Sequence, residues 1–259
     1  MKNRIELLQK AIKKTVKGSA LKSNGDPIVG TTNLLVREKW LEKTIKKIPR
    51  GKKILDAGAG ELQYRKFCKH LNYTSQDFGQ YDGQGNEEGL QTETWDNSKL
   101  DIVSDIAEMP VKDDSFDAVM CIEVFEHIPH PNDAIKEFAR VIKKGGILII
   151  TTPVSSLTHF APYYFYNGYS RYYFEKLLPD NGFKIKEIAY NGNFFEYLAQ
   201  ELRRIEYMAE KYTDLPPALS DKEESARNTI LNKLGELSSK DKGSSEMHSL
   251  GIMVVAKKN

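Results

Sequence analysis

The chain is 259 residues long, 40% hydrophobic and 29% charged, with a formal net charge of +2. That is enough for one α/β domain with a full core and an appendage, and no apolar run approaches the ~20 residues of a membrane span. The two cysteines, Cys68 and Cys121, have neither metal nor disulfide spacing, and the lysine-rich N-terminus lacks a signal-peptide core, so a cytoplasmic protein is expected.

The small net charge conceals a gradient. Residues 1–53 carry 15 Lys and Arg against 4 Asp and Glu, while residues 77–126 carry 14 acids against 2 lysines. Basic helices that are simply solvated, or that lie over an acidic sheet edge, are the plainer reading. A basic rim for an anionic substrate, RNA or a membrane surface is the alternative.

In chain order, residues 3–17 place Ile5, Leu8, Ile12 and Val16 at helical spacing with lysines opposite. A loop is expected over 18–30, then a second helix capped at Thr32 or Asn33 and running to Ile48, stopped by Pro49-Arg50-Gly51. Next comes Lys52-Lys53-Ile54-Leu55-Asp56-Ala57-Gly58-Ala59-Gly60-Glu61, read as a strand, a tight glycine turn and the start of a helix over Leu62 to Leu71. Glycine is needed where backbone turns sharply beside a ligand. A dinucleotide fingerprint wants a third glycine at position 63, which is Gln63. Asp56 at the strand end would repel a pyrophosphate but suits a cation. S-adenosylmethionine, with its sulfonium and ammonium and no phosphate, fits this turn better than a nicotinamide cofactor.

Leu71 to Asp77 reads as a second strand ending in an acid, 17 residues past Gly60, where a carboxylate can accept hydrogen bonds from both ribose hydroxyls. A loop aspartate capping a turn is the plainer reading. Residues 79–99 form a long polar excursion with one aromatic anchor, Trp95. Leu100 to Asp105 is a third strand, and Asp105-Ile106 could take an adenine amine and pack on its ring. Phe116 to Ile122 is the fourth strand, followed directly by Glu123-Val124-Phe125-Glu126-His127-Ile128. A helix from Pro131 to Ile142, closed by Lys143-Lys144-Gly145-Gly146, leads to a buried fifth strand, Ile147 to Pro153.

Asp56-Ala-Gly-Ala-Gly60, Asp77, Asp105-Ile106, Phe116-Asp117-Ala118-Val119, Glu126-His127-Ile128 and Lys144-Gly145-Gly146 stand in an order that resembles class I S-adenosylmethionine-dependent methyltransferases, above all the type 11 methyltransferase domain. The resemblance covers roughly residues 35–192 and 247–257. It implies a Rossmann-like α/β fold: a seven-stranded methyltransferase sheet with its last strand antiparallel, helices on both faces, N-terminal helices, and a helical insert before the last strand. The implied organisation is a helical cap over 1–50, the core over 51–192, the insert over 193–246 and the last strand within 247–259. Phe183 to Ile188 would be strand six and Leu250 to Ala256 strand seven. The insert holds an amphipathic helix from Phe194 to Tyr212, and Ser238 to Ser245 reads as mobile. It would serve as a lid or as a homodimer interface. By the family pattern, S-adenosyl-L-methionine (leaving as S-adenosyl-L-homocysteine) would be held by Asp56, Gly58, Gly60, Asp77, Asp105, Ile106 and Glu123.

A hydroxyl acceptor needs a base within reach. His127 after the fourth strand and His159 after the fifth are the candidates, with His130 behind them; His127 is also readable as a residue that orients its loop. From Phe160 to Phe174 the chain is crowded with aromatics, and Tyr163, Tyr164, Tyr166 and Arg171 are the expected acceptor contacts. Core packing of the following helix claims about half of that aromatic run. The Arg171-Tyr172 context resembles bacterial enzymes that methylate surface glycans and secondary metabolites. The expected function is therefore O-methylation of a sugar, glycan or other small molecule. RNA or protein methylation through the basic N-terminus, and a non-catalytic S-adenosylmethionine-binding module, are the alternatives. No Asn-Pro-Pro-Tyr-type amine-handling motif follows strand four, which counts against the first of these.

Overall fold

A computed structural model describes residues 27–259. The helix expected over residues 3–17 lies outside them. The described chain divides into two compact units, residues 41–190 with 251–259, and residues 27–40 with 191–250.

The larger unit is built on a seven-stranded sheet, ordered β3-β2-β1-β4-β5-β7-β6. Its strands are β1 (Lys53–Ala57), β2 (Asn72–Asp77), β3 (Ile102–Val103), β4 (Phe116–Ile122), β5 (Ile142–Pro153), β6 (Phe183–Asn191) and β7 (Gly251–Lys258). β1 pairs in parallel with both β2 and β4, with Ile54 opposite Tyr73 on one side and Ala118 on the other. β5 runs parallel to β4 and antiparallel to β7. Buried central strands need apolar side chains on both faces, and Ile54, Leu55, Val119, Met120, Cys121, Ile149 and Ile150 are all fully covered.

Helix α1 (Asn33–Ile45) ends by burying Leu41 and Ile45. Its last turn tightens through Lys47 N–H to Thr44 O and Ile48 N–H to Ile45 O, so it stops short of Ile48. α2 (Pro131–Val141) begins on a proline whose missing N–H is no loss at that position. It turns directly into β5, so Lys143 to Gly146 form a bulged strand start rather than a helix end. α3 (Arg171–Asp180) follows β5. Phe125, Phe138, Phe174 and Phe183 fill the space between these helices and the sheet, and the buried Tyr169 hydroxyl donates to Phe125 O at 2.9 Å.

One expected element is absent. After the glycine turn the chain makes turns and a single 3-10 turn, Arg65–Phe67, instead of a helix over Leu62 to Leu71. Leu62 sits at φ 61, a left-handed conformation no helix interior accepts. Tyr64, Cys68 and Leu71 are buried by these turns.

The smaller unit packs α4 (Phe194–Arg203), α5 (Ile205–Tyr212) and α6 (Asp221–Ser239). The helix expected from Phe194 to Tyr212 is broken at Arg204. Asn193 caps α4 by accepting the N–H groups of Phe195 and Glu196, and Ser220 with Glu223 forms a capping box on α6. Val29, Ala199, Leu231 and Leu234 make the core of this unit. Ser238, expected to be mobile, lies within α6 and donates to Glu196 Oε1 at 3.1 Å.

Candidate functional site

The expected site residues follow the carboxyl ends of four neighbouring parallel strands: Gly58 and Gly60 after β1, Asp77 ending β2, Glu123 to His127 after β4, and His159 after β5. That edge is where open α/β sheets bind their ligands. Asp105, just past the short β3, is exposed and caps Ala107 N–H at 2.8 Å. Ile106 is packed into the apolar core, so its side chain is already committed there.

The glycine turn has backbone torsions that a side chain resists, φ 78 at Gly58 and φ 50 at Gly60. A Cβ on Gly58 would lie 2.5 Å from both Val124 methyls, and one on Gly60 would lie 2.5 Å from Trp95 Cζ2. The turn is therefore pressed between the loop after β4 and the excursion after β2. Asp77 secures it: Oδ2 accepts Gly60 N–H at 3.0 Å, while Oδ1 caps Gly79 N–H at 3.0 Å.

Asp56 is almost wholly buried and accepts the Tyr73 hydroxyl at 2.7 Å. Burial, reinforced by the Asp77 charge and opposed by the Tyr73 hydrogen bond, pushes its carboxyl up to about 7. Two neighbouring buried acids, Asp56 and Asp77, make the place complementary to a cation. The residues present thus fit a cationic nucleoside better than a phosphate. Glu123 occupies φ 56 and accepts the Thr151 hydroxyl at 2.7 Å, a strained backbone at the end of β4.

The 79–99 excursion is ordered around Tyr81, whose hydroxyl meets Gly83 O, Gln91 Oε1 and Thr92. It is stitched to the loop after β5 through Leu90 N–H to Thr158 O, Phe160 N–H to Leu90 O and Asn86 N–H to Ala161 O. A Cβ on Gly85 would sit 1.9 Å from Ala161 O, so only glycine allows this approach. Tyr81 stacks on Phe160 at 4.6 Å, and Trp95 meets both rings edge-on.

This stitching delivers His159 to His127. Their rings meet edge to face at 4.6 Å, and His127 stacks on Phe160 at 5.2 Å. His127 Nδ1 lies 2.5 Å from Tyr163 O, and His159 Nδ1 lies 2.8 Å from Leu157 O. A carbonyl can only accept, so both rings carry their proton on Nδ1 when neutral. Burial and the neighbouring His159 drive His127 down to about 3, against the opposing pull of Tyr163 O. His127 is therefore neutral at physiological pH and a weak base. Glu126, fully buried, completes the group, with Oε1 at 4.0 Å from His127 Nε2 and 3.9 Å from His159 Nε2.

Of the expected acceptor contacts, Tyr163 and Tyr164 come to this group. The Tyr163 ring meets Phe78 edge-on at 4.8 Å, and Tyr164 lies 5.2 Å from His159 while donating to Ser156 O at 2.7 Å. Tyr166 reaches it through its backbone, which donates to Glu126 O at 3.2 Å. Arg171 is engaged elsewhere, with Nε and Nη2 on Glu175 Oε1 along the same helix. Tyr81, Phe78 and Glu126 were not among the expected site residues. Glu126 was visible in the sequence as part of the Glu126-His127-Ile128 motif, but nothing there marked it as a site residue.

Comparison with known proteins agrees with this geometry. Residues 55–150 match the family described as Methyltransferase domain. The ubiquinone biosynthesis O-methyltransferase of Dechloromonas aromatica is 31% identical over 121 residues, 45% of this chain and 50% of that protein. The chain thus spans half the length of that relative. A SAM dependent methyltransferase from Archaeoglobus fulgidus shares the fold at a TM-score of 0.52 and 15% identity, over 86% of this chain and 94% of that one. The [4+2]-cyclase SpnF shares it at 0.55 and 16% identity, over 99% and 94%. Residues 55–150 match a methyltransferase domain, and the seven-stranded sheet with its last strand antiparallel is the fold that the motif order implied.

Proposed function

We propose that this chain, whose residues 55–150 match a methyltransferase domain, is an S-adenosylmethionine-dependent O-methyltransferase acting on a hydroxyl of a small ring-bearing molecule. The observation that carries this reading is the gathering of the glycine turn, two buried acids and a histidine pair on the carboxyl ends of adjacent parallel strands. The fold alone would not suffice, since a cyclase shares it.

When bound, S-adenosylmethionine supplies a methyl group on a sulfonium, with a neutral thioether as leaving group. Gly58 and Gly60 let the backbone pass close to it, and Asp77 offers its remaining lone pairs to ribose hydroxyls. Asp56 supplies negative charge from a buried position. On the acceptor side, Tyr163 and Tyr164 offer flat faces to a ring, while Phe160, Trp95 and Tyr81, packed on one another, exclude water. Glu126, His127 and His159 are the polar groups at which an acceptor hydroxyl is oriented and its proton released. A relative named for ubiquinone biosynthesis supports an aromatic hydroxyl; a sugar hydroxyl satisfies the same surfaces.

The test is calorimetry of the purified chain with S-adenosylmethionine, S-adenosylhomocysteine and NAD, followed by mass-spectrometric screening of phenols, catechols and sugars. Micromolar binding of both sulfur ligands with a +14 Da product on a hydroxyl is expected. Binding of NAD alone overturns the reading.

A further inference from the structure

The cluster where the loops after β4 and β5 meet is a built ligand set. Glu126 Oε1, His127 and His159 bring their ligand atoms within 4.8 Å of one another. Both imidazoles give Nδ1–H to a backbone carbonyl, which leaves the lone pair on each Nε2, 4.0 and 3.9 Å from the same carboxylate oxygen. Three electron-pair donors therefore converge, two nitrogens and one oxygen. A single proton can serve only one pair of them. A divalent ion serves all three.

The surroundings are those of a metal site. Metal-bound histidines hold their second ring nitrogen on a carbonyl or carboxylate, as both do here. The carboxylate is 1% exposed, which keeps competing water away. Phe160, next to His159, is held at φ 55, and Leu90 fixes that loop from the opposite side. Closing to the ~2.0–2.2 Å metal–ligand distances of such sites needs shifts of only about half an ångström.

We propose that Glu126, His127 and His159 bind one divalent transition-metal ion, of the Zn²⁺, Mn²⁺ or Co²⁺ kind. Two imidazole nitrogens disfavour Mg²⁺ and Ca²⁺, which prefer all-oxygen shells. Three protein ligands leave open coordination positions. An acceptor hydroxyl bound there is acidified, and its proton passes to water while the electron pair stays on oxygen. That role rests on the methyltransferase reading; metal binding does not.

The test uses the untagged full-length chain, stripped with a chelator and titrated with CoCl₂ while visible d–d absorption is followed. Wild type is expected to take up one Co²⁺ per chain. Glu126→Gln and His159→Asn should each weaken binding ~100-fold or more. Circular dichroism checks folding, and because His159 is the more exposed of the two, His159→Asn decides if Glu126→Gln does not fold. Unchanged Co²⁺ binding in the folded variants, or no binding to wild type by Co²⁺, Zn²⁺ or Mn²⁺, overturns the proposal. S-adenosylhomocysteine calorimetry on the same wild-type sample separates the two readings. Homocysteine-ligand binding without metal uptake sinks the metal site alone, and metal uptake without it sinks the methyl-donor reading alone.

Discussion

Asp77 accepts the backbone N–H of Gly60 through Oδ2 at 3.0 Å, so one carboxylate ties the end of β2 to the glycine turn after β1. It also caps Gly79 through Oδ1, which makes it turn cap and ligand candidate at once. Asp77→Ala leaves two backbone donors unpaired and removes the acceptor for ribose. A loss of about 1–3 kcal/mol is expected in S-adenosylhomocysteine binding, with a lower Tm. Calorimetry and thermal melts read the two effects separately; unchanged affinity removes the ribose assignment.

Asp56 makes stability depend on pH. Folded, its carboxyl keeps a proton up to about pH 7; its ordinary value is 3.8. The folded state therefore binds the extra proton between those values. The contribution is fully present below about pH 4 and is lost as the pH rises through 7. Asp56→Asn keeps an acceptor for Tyr73 and removes this titration. It should melt higher than wild type at pH 8, by about 2–4 kcal/mol, and no differently near pH 4. Melting curves across pH 4–8 that run parallel would contradict this.

Gly58→Ala places a Cβ 2.5 Å from Val124 at φ 78. Strain and clash together should lower stability by about 1–3 kcal/mol, and ligand affinity should fall with it. Gly182, also at positive φ but with open space around it, is the control. Gly182→Ala should lower Tm through torsional strain alone and leave ligand affinity intact.

Arg171 was expected to meet the acceptor and is instead paired with Glu175 one turn along α3. Exposed helical pairs contribute about 0.3–0.5 kcal/mol. Arg171→Ala should leave kcat and KM within about twofold. A KM rise of tenfold or more for the identified acceptor would restore the binding role.

The centre of the sheet was legible because β1, β4 and the second half of β5 are apolar runs that end in turn residues or acids, and parallel burial leaves few other uses for such runs. Asp77 and the glycine turn were legible for the same reason, as residue types that a strand end demands. Three things were not. Leu62 in a left-handed conformation cancels a helix that spacing alone favours, and nothing local marks that strain. The 79–99 excursion read only as a long polar detour with one aromatic anchor because its order comes from Tyr81, Gly85 and Leu90 meeting residues 158–161. Glu126 was visible as part of a motif, but its convergence with His159 depends on that same distant pairing. Long-range backbone stitching, unlike periodicity, leaves no local trace.

The central claim is that the acids and glycines on this sheet edge hold a cationic nucleoside sulfonium and its thioether product. Calorimetric titration of wild type and Asp77→Ala with S-adenosylmethionine and S-adenosylhomocysteine tests it most directly. The account predicts micromolar binding to wild type, about tenfold or more weaker in the variant. No heat from either ligand with the folded wild-type chain would contradict it.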